Sequence, residues 1–299
     1  MISKCTVLII GAGPAGMSAA IQLKRYGINT LILEKAEPGG LLKNAGMVEN
    51  YPGFPGGIPG IKLVRNMLNH IQALGISIVH DEVIRLSLQD KQFLAKSSKQ
   101  DIAADYVIIA SGTQANMSLL NIDPAISHLI SYEVYQLRRL KHKHLVIVGA
   151  GDAAFDYALN LADANKVSIL NRGDTIKCLP LLRERQKNNP NIRYLHDIRI
   201  ESIKLSGDGI LLNCESSQGK TTMKADHLLY AIGRHAAIDF FDSALKAQML
   251  SGHLPEKIYF AGDVKNGLYR QSAIATGEGI RTAMKIYHTL KNEGNGNNC

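Results

Sequence analysis

The chain has 299 residues, of which 45% are hydrophobic and 20% are charged, so it has the length of one to three domains. No apolar run approaches the roughly 18 residues of a membrane-spanning helix. The net charge of +8 comes from dispersed basic residues without the aromatic motifs of nucleic-acid binding, so neither a membrane nor a nucleic acid is an expected partner. The four cysteines show no CxxC pair and no zinc-type spacing, which predicts a cytoplasmic protein without a metal site.

The first predicted elements are a buried strand, CTVLII, a glycine-rich turn, GAGPAG, a helix that ends at Gly27 and a strand that ends at Glu34. The unbroken apolar run is typical of a parallel strand covered on both faces. No signal-peptide cleavage pattern follows it, which also favours a strand.

This first unit predicts dinucleotide binding. Gly11 permits the tight turn, Gly13 lets the backbone approach a pyrophosphate, and Gly16 lets the helix pack closely on the strand. The amides at the helix N-terminus attract the phosphates. Glu34 lies 23 residues after Gly11, where a carboxylate accepts hydrogen bonds from ribose hydroxyls.

A second unit of the same kind is predicted in the middle of the chain. The strand LVIV leads into the turn Gly149–Ala154, followed by the helix FDYALNLADAN and the strand KVSILN. The residue 22 positions after Gly149 is Asn171, and no acid stands there. Arg172 and Lys177 favour the 2′-phosphate of NADPH over NADH, because a carboxylate repels that phosphate and arginine pairs with it. Alternatively, both are solvated loop charges. Two such units together suggest a bound FAD that a nicotinamide dinucleotide reduces.

The chain resembles low-molecular-weight thioredoxin reductases. The resemblance rests on motifs in the order of that family: GAGPAG, GGLL (39–42), ENYPGFPGG (49–57), YVIIASGT (106–113), GAGDAA, LLYAIGR (228–234) and YFAGDVKNGLYRQSAIATGEG (259–279).

This resemblance implies an α/β fold with two Rossmann-like, three-layer ββα domains and a homodimeric assembly. The NAD(P)H-binding domain, residues 115–234, is expected inside a split FAD-binding domain, residues 1–114 and 235–299. ASGT and AIGR are then the two crossings between domains, where relative domain motion is expected.

The last motif implies the flavin contacts. In the family its Gly-Asp pair contacts the ribityl chain and its Arg-Gln pair lies beside the isoalloxazine, which here are Gly262, Asp263, Arg270 and Gln271. The helix that starts near Ser272 is expected to direct its N-terminus at the flavin ring. Further cofactor contacts are expected in the other motifs and nearby: for FAD, Pro14, Ala15, Lys35, Gly40, Leu41, Leu42, Asn50, Val83, Ala110, Ser111 and Gly112; for NADPH, Gly151, Asp152, Ala153, Ala154, Ile232, Gly233 and Arg234.

The family's redox-active CxxC pair is absent. Its positions, counted back from Gly149, hold Tyr132 and Tyr135, which cannot form a disulfide. The two tyrosines either pack in the interior or shield the flavin ring.

The remaining cysteines offer no obvious substitute. Cys5 and Cys214 are expected in strands, Cys178 in the cofactor-phosphate loop, and Cys299 at the end of a polar tail, NEGNGNNC, expected to be disordered. A single terminal thiol that reaches the flavin remains an alternative.

Ferredoxin–NADP reductases of the thioredoxin-reductase type also lack CxxC, so we expect electrons to pass directly to a small acidic ferredoxin or flavodoxin. The basic run RRLKHKHL, Arg138 to Leu145, with Arg183, Arg185 and Lys187, forms a docking surface or a solvated connector. The chain departs from that subgroup because it ends soon after a helix predicted to stop near Leu290, without a C-terminal aromatic extension.

Two other functions stay open: a disulfide reductase with an unusual thiol, and a flavin-binding protein without turnover. No residue is identified as a catalytic acid or base, since hydride transfer depends on geometry more than on proton chemistry. His142 and His144 are expected on the surface.

Overall fold

A computed structural model describes residues 2–118 and 120–296. The strands are β1 (Ile2–Ile10), β2 (Thr30–Glu34), β3 (Ile78–His80), β4 (Val83–Gln89), β5 (Gln92–Ser97), β6 (Asp101–Ile109), β7 (Thr113–Ala115), β8 (Ile130–Ser131), β9 (His144–Val148), β10 (Lys166–Leu170), β11 (Ile192–Leu195), β12 (Arg199–Ser206), β13 (Gly209–Ser216), β14 (Gly219–Ala225), β15 (His227–Tyr230), β16 (Arg234–Ala236) and β17 (Ile258–Phe260). The α-helices are α1 (Pro14–Arg25), α2 (Gly60–Ala73), α3 (Asp152–Ala162), α4 (Pro180–Lys187), α5 (Ser243–Leu250) and α6 (Ser272–Gly296). Short 3₁₀ helices span Gly40–Asn44, Pro124–Leu129 and Tyr135–Arg139.

The chain divides into two compact units. The first consists of residues 1–43, 47–114 and 235–299, and the second of residues 44–46 and 115–234. The chain therefore crosses between units on either side of segment 44–46, after Gln114 and after Arg234. The short segment 44–46, which the sequence placed in the FAD-binding domain, groups with the second unit.

The first unit is built on a seven-stranded sheet in the order β3-β2-β1-β6-β5-β4, with β17 also paired to β6. β3, β2, β1, β6 and β17 pair in parallel, whereas β4 and β5 are antiparallel. Side chains of β1 alternate between two cores: Val7 and Ile9 pack with α1 and α6, and Leu8 and Ile10 pack with β4, β5 and α5. Burial on both faces explains the uninterrupted apolar run.

The second unit has the predicted three layers. A parallel sheet, β11-β10-β9-β15-β8, is covered on one face by α3 and on the other by the antiparallel sheet β12-β13-β14. Two dinucleotide-type α/β units confirm the predicted fold class.

The last helix is longer than predicted. It continues past Leu290 to Gly296, into the segment expected to be disordered. Glu293 Oε2 accepts a hydrogen bond from the Tyr106 hydroxyl at 2.9 Å, and its Oε1 pairs with Lys257 Nζ at 2.8 Å. These contacts attach the helix end to the sheet, so the prediction of disorder was wrong for residues 292–296. Cys299 lies outside the described residues.

Candidate functional site

The glycines of the first turn meet the backbone as predicted. Gly11 has φ +105°, and a Cβ atom there would lie 2.4 Å from the Ala110 carbonyl oxygen. A Cβ atom on Gly16 would lie 1.9 Å from the Gly11 oxygen, whereas the space beside Gly13 is open. Because Pro14 begins α1 directly after this open space, an anionic group has access to the helix N-terminus. The turn therefore fits a pyrophosphate.

Glu34 lies at the carboxyl end of β2, beside this turn. Its Oε2 accepts a hydrogen bond from the Ala12 amide at 2.7 Å, and its Oε1 accepts one from the Ala36 amide at 2.9 Å. Each carboxylate oxygen has a further lone pair, so the orientation still permits a bond from a ribose hydroxyl. The neighbouring Lys35 pairs with Glu82 at 3.6 Å.

A cavity of about 400 Å³ opens at the carboxyl ends of β1 and β2. This volume is in the size range of a small-molecule site. Its lining residues are Ile10, Gly11, Leu33, Glu34, Lys35, Asp81, Glu82, Val83, Ile84, Ser111, Gln114, Ala237, Asp239 and Phe240. The predicted contacts Gly11, Glu34, Lys35, Val83 and Ser111 are thus brought together. Carboxylates outnumber cations here, which suits the adenosine of FAD, because its ribose carries no 2′-phosphate.

Asp81 is a cavity residue that sequence reasoning missed. It is 3% exposed, and its oxygens accept hydrogen bonds from the hydroxyls of Ser97 and Ser98, each at 2.5 Å. Burial by itself raises the pKa of Asp81, but the hydrogen bonds outweigh burial and leave that pKa below its usual value. The sequence could not reveal this position in the cavity, because a single aspartate before a strand belongs to no motif.

The predicted FAD segment that begins at Gly39 lies against the first glycine turn. The Gly39 amide donates to the Ala12 carbonyl at 2.9 Å, which places Gly40 against Gly13. Asn50 Nδ2 donates to Gln271 Oε1 at 2.8 Å, although the two residues are 221 positions apart. Leu41 and Leu42 lie in the 3₁₀ helix that follows Gly39.

Backbone hydrogen bonds hold the two predicted segments in which the chain crosses between units. Gly112 has φ +67° and accepts a hydrogen bond from the Ala237 amide at 3.0 Å, while Ser111 Oγ donates to the Ala237 carbonyl at 2.6 Å. In the second unit, the Asn116 amide donates to the Gly233 carbonyl at 3.0 Å. Ile232 is 39% exposed beside this contact.

The second glycine turn repeats the first. A Cβ atom on Gly149, which has φ +149°, would lie 2.4 Å from the Ala231 carbonyl oxygen, and the space beside Gly151 is open. Asp152 begins α3, and its Oδ1 accepts a hydrogen bond from the Leu179 amide at 2.7 Å. Ala153 and Ala154 follow in the first turn of the helix.

The loop after β10 carries the predicted phosphate-binding cations. Asn171 is 8% exposed and organises this loop: its Nδ2 donates to the Thr175 carbonyl at 3.1 Å and to the Tyr194 hydroxyl at 3.0 Å. The Lys177 amide donates to the Ala150 carbonyl at 2.8 Å, so the loop folds back to the glycine turn. The Arg172 and Lys177 side chains are exposed. Asn171 therefore supports the loop from inside, while the cations face solvent.

The positions of the missing cysteines are filled by packing and polar contacts. Tyr132 is half-buried and stacks on Tyr230 with ring centroids 5.6 Å apart, against the core between the two sheets of the second unit. Glu133 pairs with the predicted cofactor contact Arg234 at 2.9 Å. Val134 is fully buried, and the Tyr135 amide donates to Asn44 Oδ1 at 3.1 Å.

Segment 44–46 groups with the second unit because its hydrogen bonds are made to residues of that unit. Asn44 Nδ2 donates to Glu133 Oε2, and Arg138 Nη2 donates to the carbonyls of Asn44 and Ala45 at 2.9 and 3.0 Å. The Gly46 amide donates to Asp156 Oδ2 at 3.3 Å. Sequence reasoning missed these contacts because they join residues about ninety or more positions apart.

Burial disfavours the thiolate form of the described cysteines. Burial raises the pKa of Cys5 to about 11, and burial followed by the charge of Asp152 raises the pKa of Cys178. Cys214 lies in β13, is 3% exposed and has a pKa raised by burial. Cys5 and Cys214 thus lie in buried strands, as predicted.

Part of the basic run is engaged inside the second unit. Beyond the Arg138 contacts, Lys143 pairs with Asp226 at 3.1 Å, and the Arg183 guanidinium lies 4.3 Å from the centre of the Tyr194 ring. His144 was expected on the surface, but it is half-buried, with Nε2 2.9 Å from Ser168 Oγ and Nδ1 2.8 Å from the Lys224 carbonyl. The prediction of a surface position was wrong because the imidazole connects β9 to β10 and β14. His142 is exposed, as are Arg139, Lys141, Arg185 and Lys187.

No helix among residues 2–118 and 120–296 is both long and apolar enough to cross a membrane. Within the same ranges, no three His, Cys, Asp or Glu side chains are grouped so as to hold a metal ion.

Comparisons with known proteins agree with this geometry. Residues 5–279 match the family model described as pyridine nucleotide-disulphide oxidoreductase. Thioredoxin reductase from Pneumocystis carinii is 30% identical over 325 residues, covering 96% of each chain. Thioredoxin reductase from Chlamydia pneumoniae is 29% identical over 303 residues, covering 93% of this chain and 96% of the relative.

Among solved structures, Lactococcus lactis thioredoxin reductase superposes with a TM-score of 0.87 at 24% identity, over 96% of this chain and 99% of that chain. This likeness confirms the fold. The family's cofactors are FAD and NADPH, as predicted, and both glycine turns fit a dinucleotide pyrophosphate. The chain therefore belongs to the pyridine nucleotide-disulphide oxidoreductase family, as a thioredoxin reductase-like flavoprotein enzyme.

Proposed function

We propose that this enzyme takes a hydride from NADPH onto FAD and passes the electrons directly to an external acceptor, without a dithiol relay. When bound, FAD supplies the redox chemistry, because it accepts two electrons and releases them singly or in pairs. The first unit, with Gly13, Glu34 and the cavity at its strand ends, would hold FAD. The second unit, with Gly151 and the cations Arg172 and Lys177, would hold NADPH.

The observation that carries the proposal is the filling of positions 132 to 135. Tyr132 packs against a core, Val134 is fully buried and Glu133 pairs with Arg234 at 2.9 Å, so this segment has a packing role and carries no thiol. Because burial raises the pKa of Cys5, Cys178 and Cys214, no described thiol offers a ready substitute.

For the acceptor, we propose a small acidic one-electron carrier such as ferredoxin or flavodoxin. The net charge of +8 and the exposed side chains of Arg139, Lys141 and Lys187 favour an acidic partner. Arg138 and Lys143 do not add to this surface, because they are engaged with the Asn44 carbonyl and Asp226.

Thioredoxin is the second candidate acceptor, since the similar proteins from Chlamydia pneumoniae and Pneumocystis carinii are named thioredoxin reductases. This function requires a thiol from Cys178 or from Cys299. We also expect a homodimer, as in the family, and a cytoplasmic location.

Anaerobic mixing of the purified yellow protein with NADPH, or separately with NADH, tests hydride transfer. We expect bleaching of the flavin band by NADPH and slower bleaching by NADH. If neither nucleotide bleaches the flavin, the protein binds flavin without turnover and the proposed function is wrong.

The reduced protein is then mixed with oxidised ferredoxin, flavodoxin and thioredoxin. Electron transfer to ferredoxin or flavodoxin, unchanged in a C178S/C299S double variant, supports direct transfer. Thioredoxin reduction that is lost in the double variant would establish the thiol route instead.

A further inference from the structure

Glu278, in the second turn of α6, is not among the predicted cofactor contacts. Its side chain is 12% exposed, although glutamate is seldom buried unless it is paired. Oε2 accepts hydrogen bonds from the Gly262 amide at 2.8 Å and from Asn266 Nδ2 at 3.0 Å. Oε1 lies 3.3 Å from Lys265 Nζ and 3.6 Å from Arg281 Nη2. One carboxylate thus joins the helix to the loop that follows β17.

The hydrogen bonds of Glu278 close the loop 262–266 at both ends. Within the loop, the Lys265 amide donates to the Gly262 carbonyl at 3.2 Å, so the segment is a tight turn. Gly262 has φ +83°, a conformation that glycine adopts without strain. Asp263, the expected contact of the ribityl chain, lies inside this turn.

The same turn is seated on the start of α1. A Cβ atom on Gly262 would lie 2.9 Å from Ala15 Cβ, and one on Gly279, the neighbour of Glu278, would lie 2.1 Å from the Ala15 carbonyl oxygen. Ala15 is in the first turn of α1, where the pyrophosphate is expected. The position of Glu278 therefore determines how Asp263 is presented next to that site.

We propose that Glu278 is a positioning residue for FAD, which acts as the hydrogen-bond acceptor that holds the loop 262–266 in its binding conformation. Its negative charge is already balanced by Lys265 and Arg281, so acceptance of the Gly262 and Asn266 hydrogen bonds is its function. This inference rests on the proposed binding of FAD by the first unit.

The test is titration of the flavin-free protein with FAD, followed by flavin fluorescence, together with the absorption spectrum of the bound flavin. Glu278→Ala removes both hydrogen bonds, and we expect binding weakened by about tenfold or more, with a spectrum closer to that of flavin in water. Glu278→Gln keeps an acceptor oxygen, so we expect a Kd within about threefold of the wild type. Should Glu278→Ala fail to fold, Asn266→Ala removes one of the two bonds and is expected to weaken binding by about threefold.

Glu293→Gln is the matched control, because Glu293 is on the same helix and is ion-paired with Lys257. It should leave the Kd for FAD unchanged. A Kd for Glu278→Ala or Asn266→Ala equal to that of the wild type would overturn the inference, and so would equal losses in Glu278→Ala and Glu278→Gln. Failure of the wild-type protein itself to bind FAD would instead overturn the proposed function.

Discussion

The two glycine turns share a backbone design but differ in the charge beside it. In both, a glycine with positive φ lies against the carbonyl of the residue that follows a neighbouring strand of the sheet, and a second glycine leaves open space at a helix N-terminus. After the first turn, the Glu34 carboxylate binds the Ala12 and Ala36 amides. After the second, the Asn171 amide holds its own loop, and Arg172 faces solvent. We therefore propose that the backbone of each turn favours a dinucleotide and that the residues at the end of the second strand distinguish FAD from NADPH.

The largest expected effect comes from replacing the first glycine of one turn at a time with alanine. Gly11→Ala and Gly149→Ala each place a methyl group 2.4 Å from a carbonyl oxygen, at φ values of +105° and +149°. We expect Gly11→Ala to be purified without flavin, and Gly149→Ala to keep its flavin but lose reduction by NADPH. The flavin-to-protein ratio and anaerobic bleaching measure both outcomes.

The control for these variants is Gly207→Ala, at φ +61° in open space, which should retain flavin and reduction. Flavin loss in Gly149→Ala as complete as in Gly11→Ala would show that the two turns do not serve separate cofactors.

The next effect concerns the cations of the second unit. The double variant Arg172→Ala/Lys177→Ala removes both proposed partners of a 2′-phosphate, so KM for NADPH should rise roughly 10- to 100-fold, with little change for NADH. Steady-state kinetics with both nucleotides measure the difference. Arg193→Ala, an exposed arginine of the same unit, is the control. Equal changes for both nucleotides would contradict phosphate recognition.

A smaller effect is expected when an acid is placed after β10, as Glu34 stands at the end of β2. Asn171→Asp removes the amide donors to the Thr175 carbonyl and the Tyr194 hydroxyl, which should lower the free energy of unfolding by about 1–3 kcal/mol. Denaturant unfolding measures the loss. Asn189→Asp is the matched control, because the Asn189 side chain accepts the Asn191 amide through its oxygen at 3.0 Å and Asp keeps that oxygen. Equal stability of the two variants would contradict the role of Asn171.

The smallest effect is the acid sensitivity of each unit. The hydrogen bond from Lys257, followed by that from Tyr106, lowers the pKa of Glu293 in the first unit. In the second unit, burial raises the pKa of Asp226, but bonds from His144 and Lys143 outweigh it and lower that pKa.

A carboxyl group with a lowered folded-state pKa stabilises the protein above its unfolded pKa, about 4. That stability is lost as the pH falls through the folded pKa. Glu293→Gln and Asp226→Asn should therefore be less stable than the wild type near pH 7 and approach it in acid. Thermal unfolding followed across this pH range measures the convergence, and a constant difference would contradict the linkage. Both carboxylates are partly exposed, so each effect should be small.

Much of the fold could be predicted because its signals are local. Apolar β-branched runs, glycine turns and helices of regular period recur within about 30 residues, and they identified both dinucleotide-type units. The end of α6 was missed because the Glu293 contacts to Tyr106 and Lys257 stabilise residues whose composition resembles a disordered tail.

The candidate site divides in the same way. Gly11, Glu34, Gly149 and Arg172 occupy motif positions that spacing alone reveals. Asp81 carries no such spacing, since its role depends on hydroxyl groups that the sheet brings from residues 97 and 98.

The sequence by itself determined the two glycine turns, the charge difference between them and the absence of the CxxC pair, because each depends on residue identity at short spacing. Only the tertiary structure decided what the residues in the place of that pair contact and what holds the loop 262–266. The Glu133–Arg234 ion pair joins residues about a hundred positions apart, and the Glu278–Gly262 hydrogen bond joins a helix to the loop before it. Neither contact follows a motif spacing, because each forms only when the fold brings the two groups together.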